Sequence, residues 1–229
     1  MGHLSEYNNT SNKYRNIDKE IIQQINDTVK TECINLIISG YNSYLIDTKK
    51  IFTIDEPSIT AGLYNHIEKQ IDLTDVQCNI VPEFPEFTNS IRNGKVKPRK
   101  AKKYDLCFIH FQSKPIVFIG VEAKLLIEEN YKNKNANSLI KEYVEDKGMG
   151  KFINNIYKKD GLMLGYILNG NVSSIVDKIN SKITQIYSLN DILNNTNKFD
   201  KKNQFIYISK HNELNKELIH IFLDFDNFN

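Results

Sequence analysis

The chain has few cysteines and no long apolar run, and each shortage excludes a class of protein. Its three cysteines, Cys33, Cys78 and Cys107, lie far apart and form no Cys-x-x-Cys pair. This spacing argues against a disulfide framework and against a zinc site, and it favours a reducing compartment. No apolar run reaches the roughly 18 residues that a transmembrane helix needs, and the first 16 residues are polar. We therefore expect no transmembrane helix, no signal peptide and a cytoplasmic location.

Several enzyme motifs are missing as well. There is no glycine-rich phosphate loop with a Walker-type lysine, which argues against ATP hydrolysis. No Ser, His and Asp set stands at a recognisable nucleophile turn. The formal net charge is only +2, from 30 basic and 28 acidic residues. Any affinity for nucleic acid must therefore come from local basic patches and not from a global field.

The length and composition predict a single core with a helical extension. The chain has 229 residues and is 40% hydrophobic, enough to bury one good core. We divide it into residues 1–54, a polar segment and an amphipathic helix that packs on the core, and residues 55–229, the main domain. No repeat with a fixed period is visible.

Hydrophobic periodicity predicts an alternation of helices and strands. A disordered polar start precedes a long amphipathic helix to about Ile38, and Glu56 is the expected cap of the second helix because Pro57 follows it. Polar loops are expected over residues 128–138 and 194–203. The other predicted elements are strands over 78–81, 104–111, 116–125, 162–168, 204–209 and 218–225, and helices over 139–157, bent at 148–150, and 172–186.

The strands over 104–111 and 116–125 form a predicted hairpin that brings two carboxylates together. If Ser113 and Lys114 make a two-residue loop, Asp105 lies directly opposite Glu122, and their Cβ atoms are roughly 4.5 to 5.5 Å apart. Lys124 points to the same face. Two carboxylates this close can share one divalent cation, and an adjacent ammonium offsets their repulsion. The pattern predicts a Mg²⁺ site, although such a spacing also arises by chance.

The element order over residues 57–168, with Asp105 on the second strand and Glu122-Ala123-Lys124 ending the third, resembles the PD-(D/E)XK nuclease superfamily. This is the fold of restriction endonucleases and of many repair and defence nucleases. The resemblance implies an α/β fold with a restriction endonuclease-like core, an αβββαβ mixed sheet flanked by helices, plus an N-terminal helix and a C-terminal strand extension. Residues 55–229 would then be the nuclease domain. Tyr104 departs from the pattern, since it stands where the motif's name has proline.

The same likeness assigns roles to individual residues. Lys124 would orient or activate the attacking water. Glu56, before the first core helix, matches the additional acidic residue that many members carry, and Glu68 is the weaker candidate for that position. The metal ligands that the likeness implies are Asp105, Glu122, the backbone carbonyl of Ala123, and Glu56.

The expected function is that of a Mg²⁺-dependent DNA endonuclease, in restriction or antiphage defence, in which Mn²⁺ can substitute. A homodimer is expected, because cutting both strands of a duplex needs two sites related by a two-fold axis. RNA is an alternative substrate. The non-enzymatic alternative is a catalytically silent nuclease-fold subunit that binds nucleic acid or a protein partner.

Basic residues beside the proposed site predict contacts with nucleic acid. Six of them stand within residues 95–103, just before Asp105, and Lys151 stands on the helix after the site. Such residues can hold the phosphate backbone, although most basic runs are solvated loops. The residues expected to contact nucleic acid are Lys97, Arg99, Lys100, Lys102, Lys103 and Lys151. His211 is open to a role in proton transfer or in structure, and His66 and His220 are expected to be structural.

Overall fold

The structure is a computed structural model that describes residues 4–47, 55–113, 116–157, 161–196, 199, 205–211 and 216–226. Lys114 of the expected hairpin loop lies outside these residues. The described helices are α1 (Leu4–Asp47), α2 (Glu56–Leu73), α3 (Asn89–Arg92), α4 (Ala136–Val144), α5 (Gly150–Ile153) and α6 (Val172–Ile186). The described strands are β1 (Cys78–Pro85), β2 (Lys103–His110), β3 (Val117–Ile127), β4 (Gly161–Asn169), β5 (Asn194–Asn195), β6 (Ile206–His211) and β7 (Lys216–Asp224).

All seven described strands form one mixed sheet in the order β1-β2-β3-β4-β7-β6-β5. Strands β3, β4 and β7 run parallel, and the other neighbours pair antiparallel. Helices α1 and α2 pack on one face, and α4 and α6 pack on the other. The predicted α/β class, with a mixed sheet flanked by helices, is confirmed. The C-terminal strands extend the same sheet.

The two faces of the sheet carry separate hydrophobic cores. One core joins Ile34 and Ile37 of α1 to Leu63 of α2 and to the sheet, and the other includes Ile140 of α4 and Ile179 of α6. Strands β3 and β4 are almost completely buried, because helices cover both of their faces. A side chain on these strands is therefore held firmly, which matters for the charged residues of β3.

Helix α1 is longer than predicted at both ends. It begins at Leu4, within the segment expected to be disordered, and continues to Asp47. No proline or glycine lies between Leu4 and Asn16, so no residue there breaks a helix. Gly40 allows close approach of α2, since a Cβ atom at that position would lie 2.6 Å from Cγ1 of Ile67. None of the described helices is long and apolar enough to cross a membrane.

The predicted cap of α2 is wrong by one residue. Asp55 is the N-cap, and its carboxylate accepts a hydrogen bond of 2.8 Å from the backbone N–H of Ser58. A short aspartate side chain reaches the N–H three residues ahead, which is the usual capping geometry. Glu56 is consequently the first helical residue, and its carboxylate is available for other contacts.

Several other boundaries differ from the prediction. Strand β1 continues through Pro82 to Pro85, which is possible because β1 is the edge strand and needs no N–H donors on its outer side. The polar loop after β3 ends earlier than expected, because Asn135 caps α4. The predicted bend at 148–150 separates α4 from α5. Within the expected loop over 194–203, residues 194 and 195 pair with β6, and residues 197–198 and 200–203 lie outside the described residues.

Candidate functional site

The β2–β3 hairpin has the predicted register but not the predicted loop. Leu106 pairs with Val121, and His110 pairs with Val117. The connection between the strands runs from residue 111 to residue 116, so it is longer than two residues. A six-residue connection centred on the same point leaves the register unchanged. The pairing of β2 with β3 ends at Leu106 and Val121, so the predicted direct pairing of Asp105 with Glu122 is not part of it, although both residues lie next to this last pair.

The carboxylate of Asp105 connects β2 to β3 just beyond the last backbone pair, Leu106–Val121. The backbone N–H of Ala123 donates a hydrogen bond of 2.7 Å to Oδ2 of Asp105. A side-chain carboxylate thus accepts the bond that a backbone carbonyl would accept in a continued ladder. This bond fixes the position of Asp105 relative to β3.

Lys124 lies at the centre of the resulting cluster. Its Nζ atom is 2.9 Å from Oε1 of Glu122, 2.9 Å from Oε1 of Glu56 and 3.9 Å from Oδ2 of Asp105. It also donates a hydrogen bond to the carbonyl oxygen of Ala123. Four oxygen atoms from α2, β2 and β3 therefore surround one cation. These are the four residues from which the sequence predicted metal ligands.

Glu122 is the most deeply buried member of the cluster, with an exposed fraction of 0%. Besides Lys124, its Oε1 atom accepts a hydrogen bond from Lys151 of α5. Its Oε2 atom accepts a hydrogen bond of 2.9 Å from the hydroxyl of Tyr157. A buried carboxylate requires such partners, because an unpaired charge inside a protein is costly. Oε1 of Glu122 thus has two donors and Oε2 has one.

The cluster carries a net negative charge when its carboxylates are ionised. Burial, followed by repulsion from Glu122, raises the pKa of Asp105 to about 6, although Lys124 and the Ala123 N–H oppose this rise. Burial alone would lower the pKa of Lys124. Attraction by Glu122, Glu56 and Asp105 outweighs burial and raises that pKa above the usual lysine value. Lys124 therefore stays an ammonium ion at neutral pH.

A cleft leads from the surface to the cluster. It has a volume of about 330 Å³ and is lined by Glu56 and Asp105 together with residues of α2 and β1, including Tyr64. Glu83, at the same cleft, has a positive φ of 48°, which is uncommon for a residue with a side chain. Its carboxylate pairs with Lys103 at 2.7 Å. Two of the three carboxylates are therefore within reach of a molecule that enters from solvent.

The predicted nucleic-acid contacts fall into two groups. The first group is exposed and leads along the chain to β2, and it contains Lys97, Arg99, Lys100, Lys102 and Lys103. The Lys103 carbonyl accepts a hydrogen bond from Tyr157, which ties the end of the basic run to the cluster. Lys151 forms the second group, inside the cluster. Among the described residues, only two lysines place an ammonium within 4 Å of a carboxylate of the cluster. Lys124 does so with all three carboxylates, and Lys151 with that of Glu122.

The donor atoms suit a hard divalent cation, but the arrangement also includes two ammonium groups. Carboxylate and carbonyl oxygens are the ligands that Mg²⁺ takes in proteins. Within the described part of the chain, however, no group of three or more His, Cys, Asp or Glu residues is arranged to hold a metal ion. Lys124 and Lys151 lie between the carboxylates instead. A divalent cation would need at least one of these ammonium groups to move.

Sequence reasoning placed Lys124 beside Glu122 but did not identify its other two partners, Tyr157 and Lys151. Lys151 was predicted only as a nucleic-acid contact. Lys151 and Glu122 are 29 residues apart and come from different elements, so no spacing rule links them. Glu68, the weaker candidate acid, instead accepts a hydrogen bond of 2.7 Å from Tyr64.

A second polar cluster, which the sequence did not predict, joins two histidines. His211 Nδ1 lies 3.1 Å from a carboxylate oxygen of Asp191, and its Nε2 lies 2.9 Å from the hydroxyl of Ser209. This is the order of a Ser-His-Asp hydrolase triad. Ser209 also lies 2.9 Å from Nε2 of His220, whose Nδ1 lies 2.9 Å from the hydroxyl of Tyr143.

This second cluster is structural, because its serine cannot meet a substrate. Ser209 and His220 each have an exposed fraction of 0%. One set of tautomers satisfies every contact: Tyr143 donates to His220, His220 to Ser209, Ser209 to His211, and His211 to Asp191. The structural role expected for His220 fits this position. His211 holds the same chain of hydrogen bonds together.

We expect His220 to make the protein sensitive to acid. Burial, with a smaller effect of His211, lowers the pKa of His220 to about 3. Between that value and the pKa of about 6.5 in the unfolded chain, only the unfolded state binds the proton, so stability falls as the pH falls. The free energy of unfolding should lose about 1.4 kcal/mol per pH unit from this residue. Urea denaturation of wild type and His220→Gln between pH 6.5 and 4.5 measures this, and equal pH slopes would contradict it.

Comparison with known proteins finds no matching family model, no matching curated protein and no matching solved structure.

Proposed function

We propose that this chain is a divalent-metal-dependent nuclease that hydrolyses phosphodiester bonds in DNA, with a restriction endonuclease-like core of the PD-(D/E)XK type. The observation that carries the proposal is the convergence of Asp105, Glu122 and Glu56 on one cationic centre. These carboxylates come from three elements, and their meeting has a cost, because like charges repel in a buried site. Such arrangements of perturbed groups beside a cleft are concentrated at functional sites.

The element order supports the same proposal. Helix α2 is followed by β1, β2, β3, α4 and β4, and the described residues between them add the short helices α3 and α5 and a 3-10 turn over Pro98–Lys100. Asp105 lies on the second strand of this unit and Glu122 on the third. Since β3 is central and buried on both faces, it is a rigid support for catalytic side chains.

Each residue of the cluster has a role in the proposed reaction. Asp105, Glu122, the Ala123 carbonyl and Glu56 would hold Mg²⁺, or Mn²⁺ in its place. When bound there, the metal would polarise the phosphoryl oxygen and make a bound water more acidic. Lys124 would orient the attacking water and offset the negative charge that develops on the phosphate. Its raised pKa means that it acts as an ammonium ion and not as a general base.

The surroundings of the site suit an extended polyanion. Exposed basic residues over 95–103 lead into β2, so the phosphate backbone can be held beside the cleft. The cleft is large enough for a nucleotide-sized group next to the carboxylates. A homodimer would present two such sites to the two strands of a duplex.

The test is cleavage of plasmid and short linear DNA by the purified protein. We expect cutting with Mg²⁺ or Mn²⁺, no cutting in EDTA, and loss of cutting in Asp105→Asn. Asp72→Asn, which changes an exposed carboxylate of α2, is the matched control and should cut like wild type. Absence of cutting by wild type on DNA and on RNA under all of these conditions would contradict the proposal.

The alternative is a catalytically silent subunit of the same fold that binds nucleic acid or a protein partner. The ammonium groups among the carboxylates favour it, since they already neutralise much of the cluster without a metal. Under this alternative, DNA binding would be independent of metal and would be lost when the basic residues over 95–103 are neutralised. Under the nuclease proposal, Mn²⁺ binds the protein and the binding is lost in Asp105→Asn.

A further inference from the structure

We propose that Lys151 exchanges partners when the site takes up a divalent cation: it leaves Glu122 and becomes a contact for the phosphate of the substrate. This inference rests on the proposed nuclease function and adds a substrate-positioning role for Lys151. In the described structure the ammonium of Lys151 pairs with Glu122, so a role with substrate needs a change of partner.

The first step concerns the capacity of Glu122. Its Oε1 atom accepts hydrogen bonds from Lys124 and Lys151, and its Oε2 atom accepts one from Tyr157. An ionised carboxylate is an acceptor with about two lone-pair sites on each oxygen, so the two ammonium groups already occupy Oε1. A divalent cation beside two ammonium groups would also be repelled by both. One ammonium must therefore leave before Glu122 can bind a metal through Oε1.

The second step concerns which ammonium leaves. Lys124 is held by Glu56 and by the Ala123 carbonyl as well as by Glu122, and its side chain is 9% exposed. Lys151 has Glu122 as its one carboxylate partner within 4 Å among the described residues, and its side chain is 18% exposed. Lys151 is thus held by fewer groups and lies nearer to solvent. It is the lysine that a divalent cation displaces at lower cost.

The third step concerns where Lys151 goes. It belongs to α5, a helix of four residues, and its four-carbon side chain can move its ammonium without moving the backbone. Its Nζ atom already lies 5.3 Å from the centre of the Tyr157 ring, an attraction that keeps the ammonium beside the site after it leaves Glu122. A substrate phosphate bound at the metal would then be an anion that the ammonium of Lys151 can pair with. The exchange makes phosphate binding by Lys151 depend on the metal.

The first experiment measures Mn²⁺ binding calorimetrically without nucleic acid. Lys151→Met removes the competing charge and keeps the apolar stem, so Mn²⁺ affinity should rise, on the order of fivefold or more. Lys147→Met is the matched control, since Lys147 pairs with Glu142 at 2.8 Å on the surface, and it should bind Mn²⁺ like wild type. Asp105→Asn should bind Mn²⁺ more weakly. A thermal melt of each variant checks that the fold is intact.

The second experiment measures the affinity for a short DNA duplex in Ca²⁺ and in EDTA. Lys151→Met should weaken DNA binding about fivefold or more in Ca²⁺ and leave it unchanged in EDTA, because without a metal Lys151 stays on Glu122 and does not contact the phosphate. Lys151→Arg, which keeps the charge, should restore most of the affinity in Ca²⁺. A purely structural lysine would give the same loss in both conditions.

The outcomes separate this inference from the function on which it rests. If wild type binds Mn²⁺ and Lys151→Met binds it no more tightly, the exchange is wrong and the nuclease proposal stands. An equal loss of DNA affinity in Ca²⁺ and in EDTA also overturns the exchange alone. If wild type binds neither Mn²⁺ nor Ca²⁺, both proposals fail.

Discussion

Replacing Asp105 by asparagine should abolish cleavage and at the same time make the protein more stable at pH 8. The activity falls because a metal ligand is lost. Mutation of a residue that only hydrogen-bonds to a metal ligand already lowers metal affinity or activity about 10- to 100-fold, so we expect the loss of a ligand to lower activity at least about a hundredfold. Stability rises because the asparagine removes a charge from a site that disfavours it. The asparagine carbonyl can still accept the hydrogen bond from the Ala123 N–H.

The size and pH dependence of this stabilisation follow from the pKa. The pKa of Asp105 is raised from 3.8 to about 6 in the folded state, so the folded protein binds the proton more tightly than the unfolded chain. The contribution of protonated Asp105 to the free energy of unfolding is fully present below pH 3.8 and is lost as the pH rises through 6. Allowing for the partial exposure of the side chain, we expect Asp105→Asn to gain about 2 kcal/mol at pH 8.

Urea denaturation at pH 4 and pH 8, together with a cleavage assay, measures both effects. The gain in the free energy of unfolding should be present at pH 8 and absent at pH 4. Asp72→Asn should change neither activity nor stability appreciably. If Asp105→Asn is active, the carboxylate is not a ligand, and if it is destabilised at pH 8, the folded state does not disfavour the charge of Asp105 as its raised pKa requires.

Replacing Lys124 by methionine should have the opposite effect on stability and the same effect on activity. Lys124 is the shared partner of Glu122, Glu56 and Asp105, and Glu122 has no exposed surface. Breaking a buried ion pair leaves an uncompensated charge and costs about 3 to 5 kcal/mol. We therefore expect Lys124→Met to lose about this much stability at pH 8 and to lose metal-dependent cleavage.

Two further measurements distinguish this loss from ordinary damage to packing. Millimolar Mn²⁺ should restore part of the stability of Lys124→Met, because an ion that binds only the folded state stabilises it. The loss should also be smaller near pH 5, where Asp105 is protonated in the folded state. Lys141→Met, which breaks an exposed pair with Glu145, should cost at most about 0.5 kcal/mol. An equal loss at both pH values, unaffected by Mn²⁺, would contradict the electrostatic explanation.

The β2–β3 hairpin shows which features of the fold can be predicted from neighbouring residues in the sequence. The register predicted for β2 against β3 is the observed one although the predicted loop is too short, because the longer connection is centred on the same point. Register is robust in this way because a shift of one residue would turn the apolar set of a buried strand to the wrong face. The class of fold and helix α6 also followed from periodicity, since amphipathic spacing depends on nearby residues only.

Other features depended on residues that are distant along the chain. The pairing of Glu122 with Lys151 and Tyr157 joins β3 to the segment around α5. The chain of hydrogen bonds through Ser209 and His220 joins α4, β6 and β7, so no local pattern announces it. The extension of α1 to Leu4 was missed because polar residues without periodicity carry no signal, although they do not prevent a helix.

The sequence by itself determined the α/β class, the order of elements and the positions of the acidic residues and Lys124 on the hairpin. Those follow from side-chain periodicity and local capping, which act over a few residues. Only the tertiary structure decided that Glu56 reaches Lys124 and that a second ammonium, Lys151, lies on Glu122. The physical reason is that these contacts join residues of α2, β3 and α5 that are far apart along the chain, and each buried charge must be balanced by whatever the fold brings beside it.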